Sequence, residues 1–203
     1  MVEPFGALMV MMDPPAADES EFHDWYDIEH VPERAAIENF LSVERFVCLD
    51  GWPKYMACYD LKHPNVLKED AYLAISGDKY SPWSKRIISQ IHGWTRMEGI
   101  QIYPGNLLLN SSGKCVRLLC FKINLKIKVS DNELIEKVRI FTDEIKSILQ
   151  FRIFNQTNDD NQYYVIVELG SPIGISDLPW MKLNLPNGSI DLANIYSRYW
   201  RRS

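Results

Sequence analysis

The order of apolar patterns in this chain runs through the same series twice, and few architectures can absorb such a repeat. Ala7-Leu8-Met9-Val10-Met11-Met12 is a short apolar run closed by Asp13-Pro14-Pro15, and it reads as a strand buried on both faces. Asp18 or Ser20 can cap a helix through Phe22, Trp25, Tyr26, Ile28 and Glu29 toward Ile37. Pro32 lies inside that helix and predicts a kink or break near His30. Phe40 to Cys48 and Lys54 to Leu61 read as two strands of a hairpin around Asp50-Gly51-Trp52-Pro53. A helix from Pro64 to Gly77, further helical turns from Pro82 to Ile91 and a strand from Trp94 to Tyr103 complete the first series.

The second series opens with a long apolar strand pattern from Lys114 to Leu125. Ser130 caps a helix with Glu133 three residues on, and Leu134, Ile135, Val138, Phe141, Ile145, Ile148 and Leu149 recur at helical spacing. Gln150 to Phe154 and Gln162 to Leu169 read as strands around a polar turn, Asn155 to Asn161. A brief helix over Asp177 to Leu183 and a last strand over Ile190 to Trp200 follow. Both series therefore read β-α-β-β-α-β, which is the ferredoxin-like unit. Such a unit leaves one sheet face bare, and two of them in one chain can hide those faces against each other. The expected fold is α+β: two tandem ferredoxin-like units, residues 1–105 and 106–203, packed sheet to sheet as an intramolecular α/β barrel.

Composition narrows the function classes. Lys plus Arg is 22 and Asp plus Glu is 27, a formal net charge of −5, which is a poor match for nucleic acid. No segment approaches ~18 uninterrupted apolar residues, so no membrane span is expected, and the N-terminus lacks the basic start and apolar core of a signal peptide. Cys48, Cys58, Cys115 and Cys120 show no CxxC spacing and read as reduced thiols, which points to a cytoplasmic protein.

The chemistry concentrates between Glu21 and Arg34, EFHDWYDIEHVPER. On a helix, Tyr26 and His30 are one turn apart, and so are His30 and Arg34. Histidine is the side chain best suited to proton transfer near neutral pH, and a tyrosine beside it can hold a developing oxyanion. The competing reading is a solvated helix face with His30 satisfied by a carbonyl. Trp83 and Arg86 in Ser81-Pro82-Trp83-Ser84-Lys85-Arg86 can line a pocket mouth or sit on a surface loop. Arg96 and Glu98 share one side of their strand, as an ion couple or with Arg96 free for a substrate carboxylate. Glu44 and Arg45 point to opposite faces. His23, His30, His63 and His92 have no metal-ligand spacing, and no nucleotide-binding glycine motif is present.

The stretch WYDIEHVPERAAIENFLSVERF, followed by PKYMACYDL and SPWSKR, resembles the dimeric α/β-barrel superfamily, and within it the EthD-like group. The likeness covers roughly residues 5 to 103. It implies a ferredoxin-like unit that pairs sheet to sheet, with the tandem copy closing the barrel within one chain. It also implies a pocket between helices and sheet, with a first-helix histidine as candidate, which falls on His30 with Tyr26 beside it. The helix of the second series has no histidine, so one site per chain and a scaffold role for residues 106–203 are expected.

Three functions remain open. The first is a cofactor-independent isomerase, cyclase, lyase or oxygenase acting on an aromatic or polyketide-like substrate. In that reading His30 and Tyr26 are catalytic, and Trp25, Arg34, Trp83, Arg86 and Arg96 bind substrate. The second is a non-catalytic binding or accessory protein that takes a small hydrophobic or aromatic ligand. The third is haem binding through one histidine. A monomer or a homodimer suits all three.

Overall fold

The computed structural model describes residues 3–110 and 112–199. Eight strands form one closed antiparallel barrel: β1 (Gly6–Asp13), β2 (Phe40–Asp50), β3 (Tyr55–Leu61), β4 (His92–Tyr103), β5 (Arg117–Leu125), β6 (Ile148–Gln156), β7 (Asp159–Leu169) and β8 (Gly188–Arg198). Around the barrel the strands run β1-β3-β2-β8-β5-β7-β6-β4. The sheets are thus not two separate layers. They are hydrogen-bonded into one ring through β2 with β8 and β4 with β6.

Strand alternation sorts the side chains. On β1, Ala7, Met9 and Met11 enter the barrel interior, while Leu8, Val10 and Met12 pack outward beneath helices. Both faces are apolar because both are covered, as the unbroken ALMVMM run requires. The helices are α1 (Glu19–Trp25), α2 (Val31–Ala35), α3 (Asp70–Leu73), α4 (Pro82–Gln90), α5 (Asp131–Asp143) and α6 (Trp180–Leu183). The first four cover an outer cluster that includes Phe22, Trp25, Tyr26, Tyr59 and Ile87. The last two cover another, around Leu134, Val138, Phe141 and Leu183. Burying one such side chain is worth about 1.5–3 kcal/mol. The Ser130 cap forms as its sequence suggests, accepting from the Glu133 amide at 3.2 Å.

Three expectations need correction. The segment from Pro64 to Gly77 is not one helix: a one-turn piece, Pro64–Lys68, is separated from α3 by Glu69 in extended conformation. The Glu69 carboxylate is drawn aside by Asn39 Nδ2 at 3.3 Å and His63 Nε2 at 3.6 Å. The polar tract NQTNDDN is mostly strand, because Asn155 Nδ2 reaches the carbonyls of Asp160 and Gln162 and pairing continues to Gln156. The last strand ends at Arg198, and Trp200, with the basic residues after it, lies outside the described residues.

One barrel end is closed from within. Arg152 Nη1 lies 2.6 Å from Asp60 Oδ1, both fully buried, and Leu109 seals the end with its amide donating to Asp60 Oδ2 at 2.8 Å.

Candidate active site

Helix α1 does not run straight into α2. Tyr26–His30 forms a single π-helical turn between them, closed by the Val31 amide donating to the Tyr26 carbonyl five residues back. Pro32 accounts for it: proline offers no N–H to the Ile28 carbonyl and its ring crowds that oxygen, so the turn widens. Residues five apart do not share a face of an α-helix. Here the π turn brings Trp25 over His30, ring centroids 4.4 Å apart, and leaves Tyr26 edge-on to the same imidazole at 5.1 Å.

These rings border a hollow between the helices and the outer face of the sheet. Leu8, Val10 and Met12 of β1, Tyr59 of β3, and Trp94 and Arg96 of β4 form its floor and sides, and Arg34, Tyr72 and Tyr80 close it. Its volume is about 20 Å³, close to that of one water and not the few hundred Å³ of a ligand-sized pocket. The aromatic rings themselves occupy the remaining space.

Two buried polar atoms in this lining have no hydrogen-bond partner among the described residues, His30 Nδ1 and Arg34 Nη1, while the Tyr59 hydroxyl interacts with that of Tyr26. Arg34 is 2% exposed; its Nη2 donates to the Ile75 carbonyl at 3.0 Å, and its Nη1 is 3.6 Å from Glu33. Arg96 donates from Nε to Glu98 at 2.6 Å and from Nη2 to the Tyr72 hydroxyl at 3.0 Å. The Tyr26 hydroxyl donates to Met12 Sδ at 3.3 Å, a weak acceptor. No carboxylate lines the hollow and two guanidiniums do, each paired beside it with Glu33 or Glu98.

Burial pushes the His30 imidazole well below its ordinary range, and Arg34, Arg45 and Arg96 push it further. Burial raises the Tyr26 and Tyr59 phenols. At neutral pH the hollow therefore holds a neutral imidazole and protonated phenols. Behind Tyr26, Arg45 lies over the ring at 4.3 Å and donates to Asp27 at 2.6 Å.

The structure gathers Trp25, Tyr26, His30, Arg34 and Arg96 into one lining. Trp83 and Arg86 are placed elsewhere: both bind Glu21 on the outer side of the helices, Trp83 Nε1 at 3.1 Å and Arg86 as an ion pair. On α4, Ser84 and Ile87 face inward, Trp83 is half-buried against the outer cluster beside them, and Arg86 is exposed. Arg96 and Glu98 form the ion couple, yet Arg96 also borders the hollow. Tyr59, Tyr72, Tyr80 and Trp94 escape the sequence reading. Only Tyr59 had a signal, sharing the outer face of KYMACYDL with Tyr55 and Ala57.

No family profile and no curated protein matches the chain. Solved structures do, at low identity. An anthrone oxidase-like protein aligns over 98% of this chain and 92% of its own, with TM-score 0.63 and 7% identity. A variant chlorite dismutase from Candidatus Nitrospira defluvii, with cyanide bound, aligns over 98% and 92% with TM-score 0.56 and 10% identity. A heme-binding protein from Thermus thermophilus aligns over 98% and 92% with TM-score 0.55 and 9% identity. The chain has the dimeric α/β-barrel fold. In that fold it joins all eight strands of the barrel in one polypeptide.

Haem, which one of these neighbours carries in its name, makes demands that the hollow meets only in part. A histidine beside two guanidiniums is suitable chemistry for an iron and its propionates. The space is not: Trp25 covers the His30 ring, and a cleft for a macrocycle requires parting α1 and α2 from the sheet. The residues as arranged do not fit the group.

Proposed function

We propose that the chain is a small-molecule enzyme that moves a proton with His30 and needs no cofactor for it. In this reading residues 1–105 form the site-bearing unit of a tandem pair and residues 106–203 the scaffold. The equal strand orders β4-β1-β3-β2 and β8-β5-β7-β6 around the barrel support the pairing. The observation that carries the function is the convergence of two buried nitrogens without a hydrogen bond among the described residues, His30 Nδ1 and Arg34 Nη1, beside one hollow that the Tyr26 and Tyr59 hydroxyls also border. Leaving each unmet costs about 1–3 kcal/mol, so they suit a polar ligand that meets them.

Each residue has a role. Arg34 and Arg96 hold the anionic group of a small aromatic or enolisable substrate. Neutral His30 accepts a proton from it. Tyr59 and Tyr26 donate to the oxygen on which charge grows, exchanging their contact with each other and that of Tyr26 with Met12 Sδ to do so. Burial is the main cause of the depressed imidazole, and a substrate anion on Arg34 and Arg96 cancels part of the remainder, so binding raises the basicity of His30. The site as described is closed, and Tyr80 and Trp94 are the lining side chains that swing aside to admit a ligand; Trp94 is 45% exposed.

A second reading has its own observation. Trp25 and Tyr26 fill most of the hollow, as in a binding or accessory protein that does no chemistry. One experiment separates the two. Phenolic and enolisable aromatic acids are incubated in deuterated buffer with the wild type and with His30→Gln, and deuterium at carbon is read by mass spectrometry. Exchange with at least one compound, lost in the variant, is the expected result. Compounds that bind the wild type yet exchange no faster than with His30→Gln leave only the binding reading.

A further inference from the structure

The open end of the barrel carries a larger cavity than the one beside His30. It measures about 520 Å³, within the range of roughly 300–1,000 Å³ usual for ligand sites. It is bordered by Trp52 from the β2–β3 turn, Thr95 from β4, Lys122 from β5, and Asp191, Leu192 and Asn194 from β8.

Its rim is rigid. Asn194 holds the turn, accepting from the Trp52 amide at 3.1 Å and donating to the Trp52 carbonyl at 2.9 Å, and its Nδ2 also donates to the Tyr196 hydroxyl at 2.7 Å. Gly51, at φ +119°, permits this approach: a Cβ there would meet Asn194 Oδ1 at 2.1 Å. The Trp52 indole donates from Nε1 to Asp13 Oδ2 at 2.9 Å. One edge of the ring rests on Gly93, at φ +61°, where a Cβ would lie 2.3 Å from the ring carbons. Two hydrogen bonds thus hold the Trp52 backbone, and one more, with the close approach to Gly93, positions an indole that remains 58% exposed. A surface tryptophan with its N–H satisfied and its rotamer locked is a preorganised stacking face, since its ordering entropy is already spent.

The charges around it are uneven. Asp191 is occupied on both oxygens, by Asn124 Nδ2 and by Ser189 Oγ at 2.7 Å. Lys122 stands opposite Tyr164 and Leu192 in the ladders, so its side chain is on the interior side of the sheet. It forms no ion pair among the described residues. The mouth therefore offers one locked aromatic face and one uncommitted ammonium. We propose that it is a second ligand site, separate from the hollow beside His30, for a planar aromatic anion whose ring stacks on Trp52 and whose acidic group meets Lys122.

The test uses 8-anilino-1-naphthalenesulfonate as probe, followed by fluorescence on the whole chain. The expected result is saturable one-to-one binding. It weakens at least about tenfold in Lys122→Gln and in Trp52→Leu, and stays within about threefold in Lys122→Arg and in Arg34→Gln. The uncharged N-phenyl-1-naphthylamine binds at least about tenfold more weakly. Near-UV circular dichroism checks the fold of each variant, and the two variants of half-buried Lys122 keep the test decisive if Trp52→Leu fails to fold. Absence of saturable binding, or a Lys122→Gln affinity within about threefold of wild type, overturns the proposal. So does loss in Arg34→Gln alone, which moves the probe to the hollow.

Discussion

The Trp25 indole lies over the His30 imidazole with 39° between the ring planes, and its N–H is held from the far side by Ser84 Oγ at 2.9 Å. The same hydroxyl donates to Glu29 Oε1 at 2.8 Å, which also accepts from Ser81 Oγ at 2.6 Å. The position of the aromatic lid over His30 is thus fixed by a serine on another helix. Ser84→Ala leaves a buried indole N–H unmet, and the expected loss is about 1–3 kcal/mol by urea unfolding. Ser81→Ala removes one bond to Glu29 and the cap of α4, and about 1 kcal/mol is expected. A sharper test is the Trp25 indole resonance: Ser84→Ala broadens or shifts it, and Ser81→Ala moves it less.

Acid should weaken the fold through His30. Its folded pKa is depressed well below the ordinary value by burial and by three arginines. As pH falls through about 6.5 the unfolded chain takes up a proton that the folded chain refuses, so unfolding is favoured. The contribution is complete above that pH and declines below it, by at most about 1.4 kcal/mol per pH unit. His30→Gln removes the effect. Between pH 7.5 and 5 the wild-type urea midpoint should drop further than that of the variant, and parallel curves would show that His30 is protonated in the fold.

Binding should reverse that depression. Arg34 has one guanidinium nitrogen without a hydrogen-bond partner among the described residues, and an anion placed there cancels part of the field on His30. Saturation with a small aromatic carboxylate should raise the His30 pKa, followed by imidazole NMR, and Arg34→Gln should abolish the rise. A ligand that binds without moving the imidazole titration would have to sit elsewhere.

The sequence exposed some of this and hid the rest for physical reasons. The ALMVMM run showed a strand covered on both faces because no exposed strand tolerates six apolar residues in a row. Ser130 with Glu133 showed a helix start because a cap is a local hydrogen bond. Pro32 showed that the first helix is irregular, but not that it relaxes by widening, which depends on what Trp25 and His30 pack against. Arg34 was readable from its place one turn after His30, and Arg96 from its strand position beside Glu98, with which it pairs. Tyr72 and Tyr80 reach the hollow from a connection with no regular pattern, where spacing predicts no direction. Trp83 and Arg86 meet Glu21 and do not line the hollow, a position set by the phase of helix α4, which the sequence around its cap does not reveal.

The buried Asp60–Arg152 pair should respond unequally to loss of either partner. Both groups are inside the closed barrel end, on β3 and β6, at 2.6 Å. Asp60 keeps other donors, Ser42 Oγ and the Leu109 amide, each at 2.8 Å. Arg152 keeps only the Leu107 carbonyl at 3.2 Å, and its Nε and Nη2 have no partner among the described residues. A carboxyl stripped of its cation can take up a proton, whereas a guanidinium cannot lose one. Asp60→Asn therefore strands a permanent charge, and a loss of about 3–5 kcal/mol is expected at any pH. Arg152→Met leaves Asp60 with its two remaining donors, and a smaller loss is expected. The double variant removes both charges and should recover most of the stability. Urea unfolding of the four proteins measures this; a double variant as unstable as the sum of the singles would show that the two groups act independently.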